Sequence, residues 1–305
     1  MSKEKILYDI LNSIQECNTI SDLANKLFIS QPYISRTIKN AEKKYNTTLI
    51  HRKENPIRLT QAGEIVLNNL RKIIETRNEL QYDLLPYQKT EDFQLKVAIN
   101  QPWLETSADF LLEFLLKEFP NITFSFYERT TNLAQKELLN HSIDLFIGKF
   151  LTNKDIVSTY ITQSELYLIT PENLLPYEIK SNILHSQDLK FIDNLPFISL
   201  TDDSFFQAMV DNFFTEHEIK IHKIIKVENS IAAIKLAVKG YGSTIAPRNI
   251  ADEIAKKYNA KIKAIYIPEN LLQLSIGISY LENSHGFVKK IAQKICEFLK
   301  SNSLF

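Results

Sequence analysis

Residues 20–39 constrain this chain more than any other stretch. Ile20, Leu23, Ala24 and Leu27 recur at helical spacing, and Ser21 is a candidate cap for the helix they form. After Phe28-Ile29, Ser30 is a candidate cap for a second helix. Gln31-Pro32 suits its first turn, where proline forfeits no needed N–H. Ile34, Ile38 and Ala41 then share one face and can pack back on the first helix. Gln31, Tyr33, Ser35, Arg36 and Lys39 are left largely outside. Two short helices around a tight turn, one face joined and the other polar, is the division that a helix-turn-helix requires.

An ordinary helical hairpin with a solvated outer face is the competing reading. Against it, the outward residues near the second helix start are Gln, Ser and Arg, side chains able to read base edges in the DNA major groove. The following segment, residues 49–60, adds a wing. Two short extended runs flank Glu54-Asn55-Pro56, and Arg52, Lys53 and Arg58 fringe that turn where they could meet phosphates.

With those residues in hand, the chain resembles the LysR-type transcriptional regulators. The resemblance rests on Ser30-Gln31-Pro32, Ser35, Ile38-Lys39, Leu49-Ile50-His51-Arg52 and Leu59-Thr60-Gln61-Ala62-Gly63. Ala41-Glu42 departs from the family's usual Leu-Glu pair, Ile50 stands where a Phe is usual, and Tyr33 replaces a commonly small residue. The resemblance implies Ser30, Gln31, Pro32, Tyr33, Ser35, Arg36, Lys39, Arg52, Lys53 and Arg58 as the DNA-binding set.

The chain has 305 residues, enough for two or three compact units. Its formal net charge is zero, but the distribution is uneven: residues 1–72 hold 12 Lys and Arg against 7 Asp and Glu, and the remainder 24 against 29. A head at +5 on a body at −5 fits one nucleic-acid-binding end, and so modest a charge favours a dimer gripping two half-sites. Charges interrupt the apolar stripe of Ile6, Leu7, Ile10, Leu11 and Ile14, so the first helix does not read as a secretory signal. No apolar run is long enough to span a membrane. Cys17 and Cys296 form no metal or redox motif, which suits a reducing cytoplasm.

From Gln61 to about Leu85, Val66, Leu70, Ile73, Arg77, Leu80 and Leu84 recur in steps of four and three, a heptad-like seam broken by Arg77. The spacing alone is compatible with a helix lying on its own domain, but a stretch between two domains has little else to cover it, so a partner helix is expected. In the resembling family the element is a linker helix that pairs two heads. Pro86 and residues 88–92 mark a boundary. The expected domains are 1–60 (winged helix-turn-helix), 61–88 (linker helix) and 93–305 (effector domain, with lobes near 93–163 plus 268–305 and 164–267).

Beyond residue 93, strand-like and helix-like runs alternate. Strands are expected at Leu95–Ile99, Ile122–Tyr127 and Ile143–Ile147, with helices Leu104–Phe119 and Leu133–Asn140 between them, a pattern that calls for a parallel sheet. A second set comprises strands Leu166–Ile169, Phe197–Leu200, Ile224–Val227 and Ser243–Ala246 with helices Phe205–His217 and Ser230–Lys239. A strand Leu274–Ser279 and a helix Phe287–Leu299 close the chain. Gly240 can stop its helix in the left-handed conformation. The expected fold is therefore a multidomain α+β chain: a winged helix-turn-helix, a long helix and a two-lobed α/β effector domain of the type 2 periplasmic-binding-protein kind.

In open α/β units ligands lie beyond strand carboxyl ends, near helix N-termini that favour anions. The candidate effector contacts are Asn100, Gln101, Pro102, Arg129, Thr131 and Lys149 from one lobe, and Thr201, Phe205 and Asn229 from the other. Two cations at strand ends point to a carboxylate-bearing metabolite; Trp103 is expected to pack beside the cleft. No catalytic constellation, metal site or cofactor motif is found. His217-Glu218 with His222 has the wrong spacing for a zinc helix, and Gly240-Tyr241-Gly242-Ser243 is no nucleophile turn. The chain reads as a cytoplasmic, non-enzymatic regulator without cofactor. Its expected partners are a pseudo-palindromic DNA duplex, a small effector, copies of itself as dimer or tetramer, and RNA polymerase. A periplasmic solute-binding protein would need a secretory signal and no basic head. A chromatin-type DNA protein would need no cleft.

Overall fold

The computed structural model describes residues 3–302 apart from 53, 55, 85–93, 102 and 176–177. The chain divides into two compact units, residues 1–88 and 89–305.

In the first unit, α1 (Lys3–Ser13), α2 (Ile20–Leu27) and α3 (Gln31–Tyr45) precede a hairpin of β1 (Ile50–His51) and β2 (Arg58–Leu59), and α4 (Gln61–Leu84) follows. The hairpin is antiparallel, with Ile50 opposite Leu59 and His51 opposite Arg58. Leu7, Ile10 and Leu11 of α1, Leu23 of α2, and Ile34 and Ile38 of α3 meet in one buried core. Each such side chain contributes about 1.5–3 kcal/mol by leaving water. The cap of α2 is Thr19 and not Ser21. The Thr19 side chain accepts from Asp22 N while Asp22 accepts from Thr19 N, and Ser21 already lies inside the helix. Thr19-x-x-Asp22 is a capping box that the sequence displays. Ser30 occupies the cap position of α3, but its side chain makes no capping bond; its carbonyl accepts from Tyr33 N and Ile34 N instead.

The seam of α4 divides. Leu70 is buried in the head's own core, and Val66 packs partly against it. Ile73, Leu80 and Leu84 are exposed. The first half of the helix therefore packs largely on its own domain, and among the described residues Ile73, Leu80 and Leu84 form an exposed apolar stripe along the second half. Leu85, Pro86 and the boundary at 88–92 lie outside the described residues.

The second unit opens with β3 (Gln94–Ile99), α5 (Trp103–Glu118), β4 (Thr123–Glu128), α6 (Thr131–Leu139) and β5 (Leu145–Lys149). These strands belong to a five-stranded sheet of order β4-β3-β5-β12-β6, in which β6 is Ile156–Ser164 and β12 is Leu274–Leu281. β3 pairs parallel with β4 and β5, as the alternating pattern calls for, while β12, for which no direction was expected, runs antiparallel to both β5 and β6, so the sheet is mixed. The chain leaves this sheet after β6 and returns as β12, so β12 alone runs against the other four strands.

The other half holds β7 (Leu166–Pro171), β8 (Pro196–Leu200), α7 (Phe205–Glu216), β9 (His222–Val227), α8 (Ser230–Val238), β10 (Thr244–Ala246), α9 (Arg248–Tyr258) and β11 (Ile262–Ile267). β7 runs antiparallel between β10 and β11, while β8 and β9 pair in parallel. Sequence periodicity missed β6 and β11. α10 (Gly286–Asn302) closes the chain, burying Val288, Ile291, Ile295 and Leu299. Gly240 follows α8 at φ +92°, the left-handed turn expected there.

Candidate functional site

Two surfaces concentrate the polar chemistry, one in each unit. On the head, α3 buries Ile34, Ile38 and Ala41 and turns Gln31, Pro32, Tyr33, Arg36 and Lys39 to solvent, with Ser35 half-buried. Arg58 is exposed on the hairpin, opposite His51, while Lys53 lies outside the described residues. Arg52 is engaged within the head: its Nη2 donates to Glu42 Oε2 at 2.6 Å, and Glu42 Oε1 accepts from Leu49 N at 3.0 Å. One carboxylate thus fastens the wing to α3. Arg52→Ala and Glu42→Ala should each weaken duplex binding by loosening the wing. Since both remove one contact, a double-mutant cycle on head stability and DNA affinity should return a coupling of about 0.5–1 kcal/mol; additive losses would refute the shared role.

The wing meets α4 closely. Thr60 N donates to Leu49 O at 2.9 Å, and the Thr60 hydroxyl donates to Thr48 O at 2.7 Å while accepting from Gly63 N at 3.0 Å. Gly63 thereby lies directly under the Leu49 carbonyl, leaving no room for a Cβ.

In the second unit a cavity of about 240 Å³ opens at the carboxyl ends of β3, β4, β5 and β8, between the two α/β halves. Asn100, Gln101, Arg129, Thr131, Lys149, Thr201 and Phe205 line it, so seven of the nine expected effector positions come together. Pro102 lies outside the described residues, and Asn229 is not in the lining. The Asn229 side chain caps α8 by accepting from Ala232 N at 3.2 Å, which holds it away from the space.

Several lining groups are already committed. The buried Asn100 ties three strand ends together, donating to Arg129 O at 2.7 Å and accepting from Lys149 N at 3.0 Å and from the Thr131 hydroxyl at 3.2 Å. The Arg129 Nε donates to both Glu137 oxygens, at 3.0 and 2.8 Å, and its Nη1 to Glu128 O at 3.0 Å. Gln101 bridges the halves: its amide donates to Glu128, and its oxygen accepts from Ser230 N at the start of α8 at 3.3 Å.

Lys149 differs. Its Nζ sits 3.0 Å from the Phe205 ring centroid, across the cavity, and among the described residues no carboxylate pairs with it. Burial alone lowers its pKa to about 8, because a desolvated ammonium is costly to keep charged. The position of Lys149 follows from Gly148, whose Cα faces Asn100 so closely that a Cβ would fall 2.6 Å from Phe146 Cζ and strike the Asn100 oxygen.

Trp103 is buried and also lines the cavity, as do Ser204, Phe206, Ile245 and Pro247. Sequence reasoning missed two acidic members, Glu128 and Glu228. Both directly precede a segment that opens a helix, Glu128 closing β4 and Glu228 following β9, and that signal was available. His217 lies at the end of α7 with its ring edge-on to Phe213, 5.1 Å between centroids, and His222 begins β9.

A family model described as the LysR substrate binding domain matches residues 94–300, and one described as the bacterial regulatory helix-turn-helix protein, lysR family, matches residues 7–64. This chain belongs to the LysR family. It is a LysR-type transcriptional regulator with a helix-turn-helix and an effector-binding domain. Similar proteins include the probable RuBisCO transcriptional regulators of Phaeodactylum tricornutum, 28% identical over 95% of this chain and 94% of that protein, and of Synechocystis sp., 28% identical over 75% and 67%. Among solved structures, full-length BenM aligns with a TM-score of 0.58 at 19% identity, covering 100% of this chain and 98% of that one. Full-length CbnR complexed with its target DNA gives 0.54 at 21%, covering 97% and 99%. The effector binding domain of QuiR in complex with shikimate gives 0.56 at 24%, covering 68% and 98%. These neighbours share the fold of a LysR regulator. Among the described residues no helix is long and apolar enough to cross a membrane.

Proposed function

We propose that this LysR regulator binds a specific DNA duplex through the outer face of α3 and the hairpin, and that a small carboxylate-bearing effector in the 240 Å³ cavity modulates that binding. The observation that carries the effector reading is the Lys149 ammonium, half-desolvated, without a carboxylate partner among the described residues, and aimed into a cavity rimmed by helix N-termini. A carboxylate there would restore what burial has removed from Lys149. The volume lies below the usual range for larger ligands, which favours a small metabolite.

The head reads bases with Ser30, Gln31, Pro32, Tyr33, Ser35, Arg36 and Lys39, while Arg58 and Lys53 serve phosphates. Arg52 acts mainly by holding the wing. Residues 1–60, 61–88 and 93–305 serve as DNA-binding domain, linker and effector domain. The exposed Ile73, Leu80 and Leu84 of α4 suit pairing with a second copy on a pseudo-palindromic site. The effector works by binding unequally to two arrangements of the lobes. Support for a duplex partner also comes from CbnR, whose structure contains its target DNA.

Arg36→Ala should weaken binding to the chain's own upstream region by about 1–3 kcal/mol and relax its preference over random duplex. Fluorescence anisotropy on both duplexes over a salt series reads this directly. An unchanged preference would remove Arg36 from base reading, and a parent chain indifferent to duplex sequence would overturn the specific-regulator reading.

A further inference from the structure

The charges around the cavity do not sum to a site for a simple anion. Its titratable lining is Glu128, Arg129, Lys149 and Glu228. Arg129 is neutralised at hydrogen-bond distance by Glu137. Among the described residues, what remains in the lining is one cation without a carboxylate partner, Lys149, against two carboxylates, Glu128 and Glu228. A ligand bringing only negative charge would enter a lining that is already net negative and would face uncompensated repulsion. A ligand carrying one carboxylate and one ammonium adds no net charge and gives both signs a partner.

The sheet places those partners at a usable spacing. Glu128 ends β4 and Lys149 ends β5, and β3 lies between them. Glu128 is level with Ile147 and Lys149 lies two residues further along β5, so two strand spacings and that offset put their backbones about 12 Å apart. Both residues fall on the same face of the sheet and both line the cavity with Asn100 and Gln101 between them, so one ligand lying across those two residues can reach both. Gln101 holds Glu128 by its amide, which orients the carboxylate and leaves it acceptor capacity. The rest of the lining is largely apolar, with Trp103, Phe205, Phe206, Leu166 and Leu274.

Building on the reading of this cavity as the effector site, we propose that the effector is a small amino acid, its carboxylate on Lys149, its ammonium on Glu128, and its side chain against Phe205 and Trp103. Glu128 is then the residue that selects amino acids over plain carboxylates. Glu228, at the exposed rim, adds to the negative potential that draws the ammonium.

The test uses the full-length protein and matched triples of probes, read by thermal shift and titration calorimetry. L-leucine is set against 4-methylpentanoate and 3-methylbutylamine, and L-phenylalanine against 3-phenylpropanoate and 2-phenylethylamine, with the remaining common amino acids screened alongside. At least one amino acid should raise the melting temperature and bind tenfold or more tightly than both its amine-free and its carboxylate-free counterpart. Glu128→Gln, which keeps an acceptor for Gln101, should lower that amino acid's affinity at least tenfold while leaving the amine-free acid unaffected or improved. If the plain carboxylates bind as well as the amino acids, or if Glu128→Gln does not change their ratio, the amino-acid proposal fails while the carboxylate site stands. If neither amino acids nor carboxylates bind, the proposal and the effector reading of the cavity fall together.

Discussion

Lys149→Met should abolish the response to the effector. The substitution keeps a linear chain against Phe205 and removes only the charge, so packing is preserved while the carboxylate loses its counter-ion. Truncating one member of a desolvated charged pair costs about 2–5 kcal/mol, and for this half-open site the low end, a loss of about 30-fold in affinity, is expected. Operator binding measured without effector is the control that the chain is folded. A retained effector response would remove Lys149 from the site.

The lowered pKa makes a second reading of the same residue possible. With its pKa at about 8 when folded and near 10.4 when unfolded, Lys149 releases its proton first in the native state. Between those values the unfolded chain binds more protons, so this residue's contribution makes the ligand-free protein more stable as pH rises through 8. Effector affinity should move the other way, falling above pH 8 as the ammonium that meets the carboxylate is lost. Calorimetric titrations from pH 6.5 to 9.5 should show that decline in the parent and not in Lys149→Met. An affinity flat across the range would exclude the ammonium as the anchor.

Gly63→Ala should be the most damaging single methyl group in the head. The added Cβ would penetrate the Leu49 carbonyl oxygen and come within 3.1 Å of its carbon and 3.4 Å of Leu59 Cβ. Leu49 O is also the acceptor for Thr60 N, so the strand cannot withdraw without opening the junction of wing and α4. Relief requires backbone movement and not a rotamer change, and a cost of about 3 kcal/mol or more is expected. Calorimetry should show an earlier unfolding transition together with lost duplex binding, while ligand binding in the cavity of the other unit persists. A head that melts normally with alanine at 63 would show that the close approach is not needed.

Local sequence carried much of this architecture. The apolar spacing of Leu23, Ile34, Ile38 and Ala41 fixed which faces of α2 and α3 turn inward, because helical period alone decides that. It therefore also exposed Gln31, Arg36 and Lys39. The residues after β3, β4, β5 and β8 could be nominated as cavity lining because parallel strands present their carboxyl ends to one side.

Partnership was legible only in three dimensions. Arg129 and Lys149 look alike in the sequence, two cations at strand ends, yet Glu137 occupies the first and nothing anionic among the described residues occupies the second. Likewise the sequence could not say that Arg52 is held by Glu42, that Leu70 lies in the head's core while Leu80 is bare, or that β12 runs against β5. Periodicity records which way a side chain faces along its own element. The charge it meets, the surface that covers it and the strand beside it come from residues distant in the chain, and only the folded arrangement brings those together.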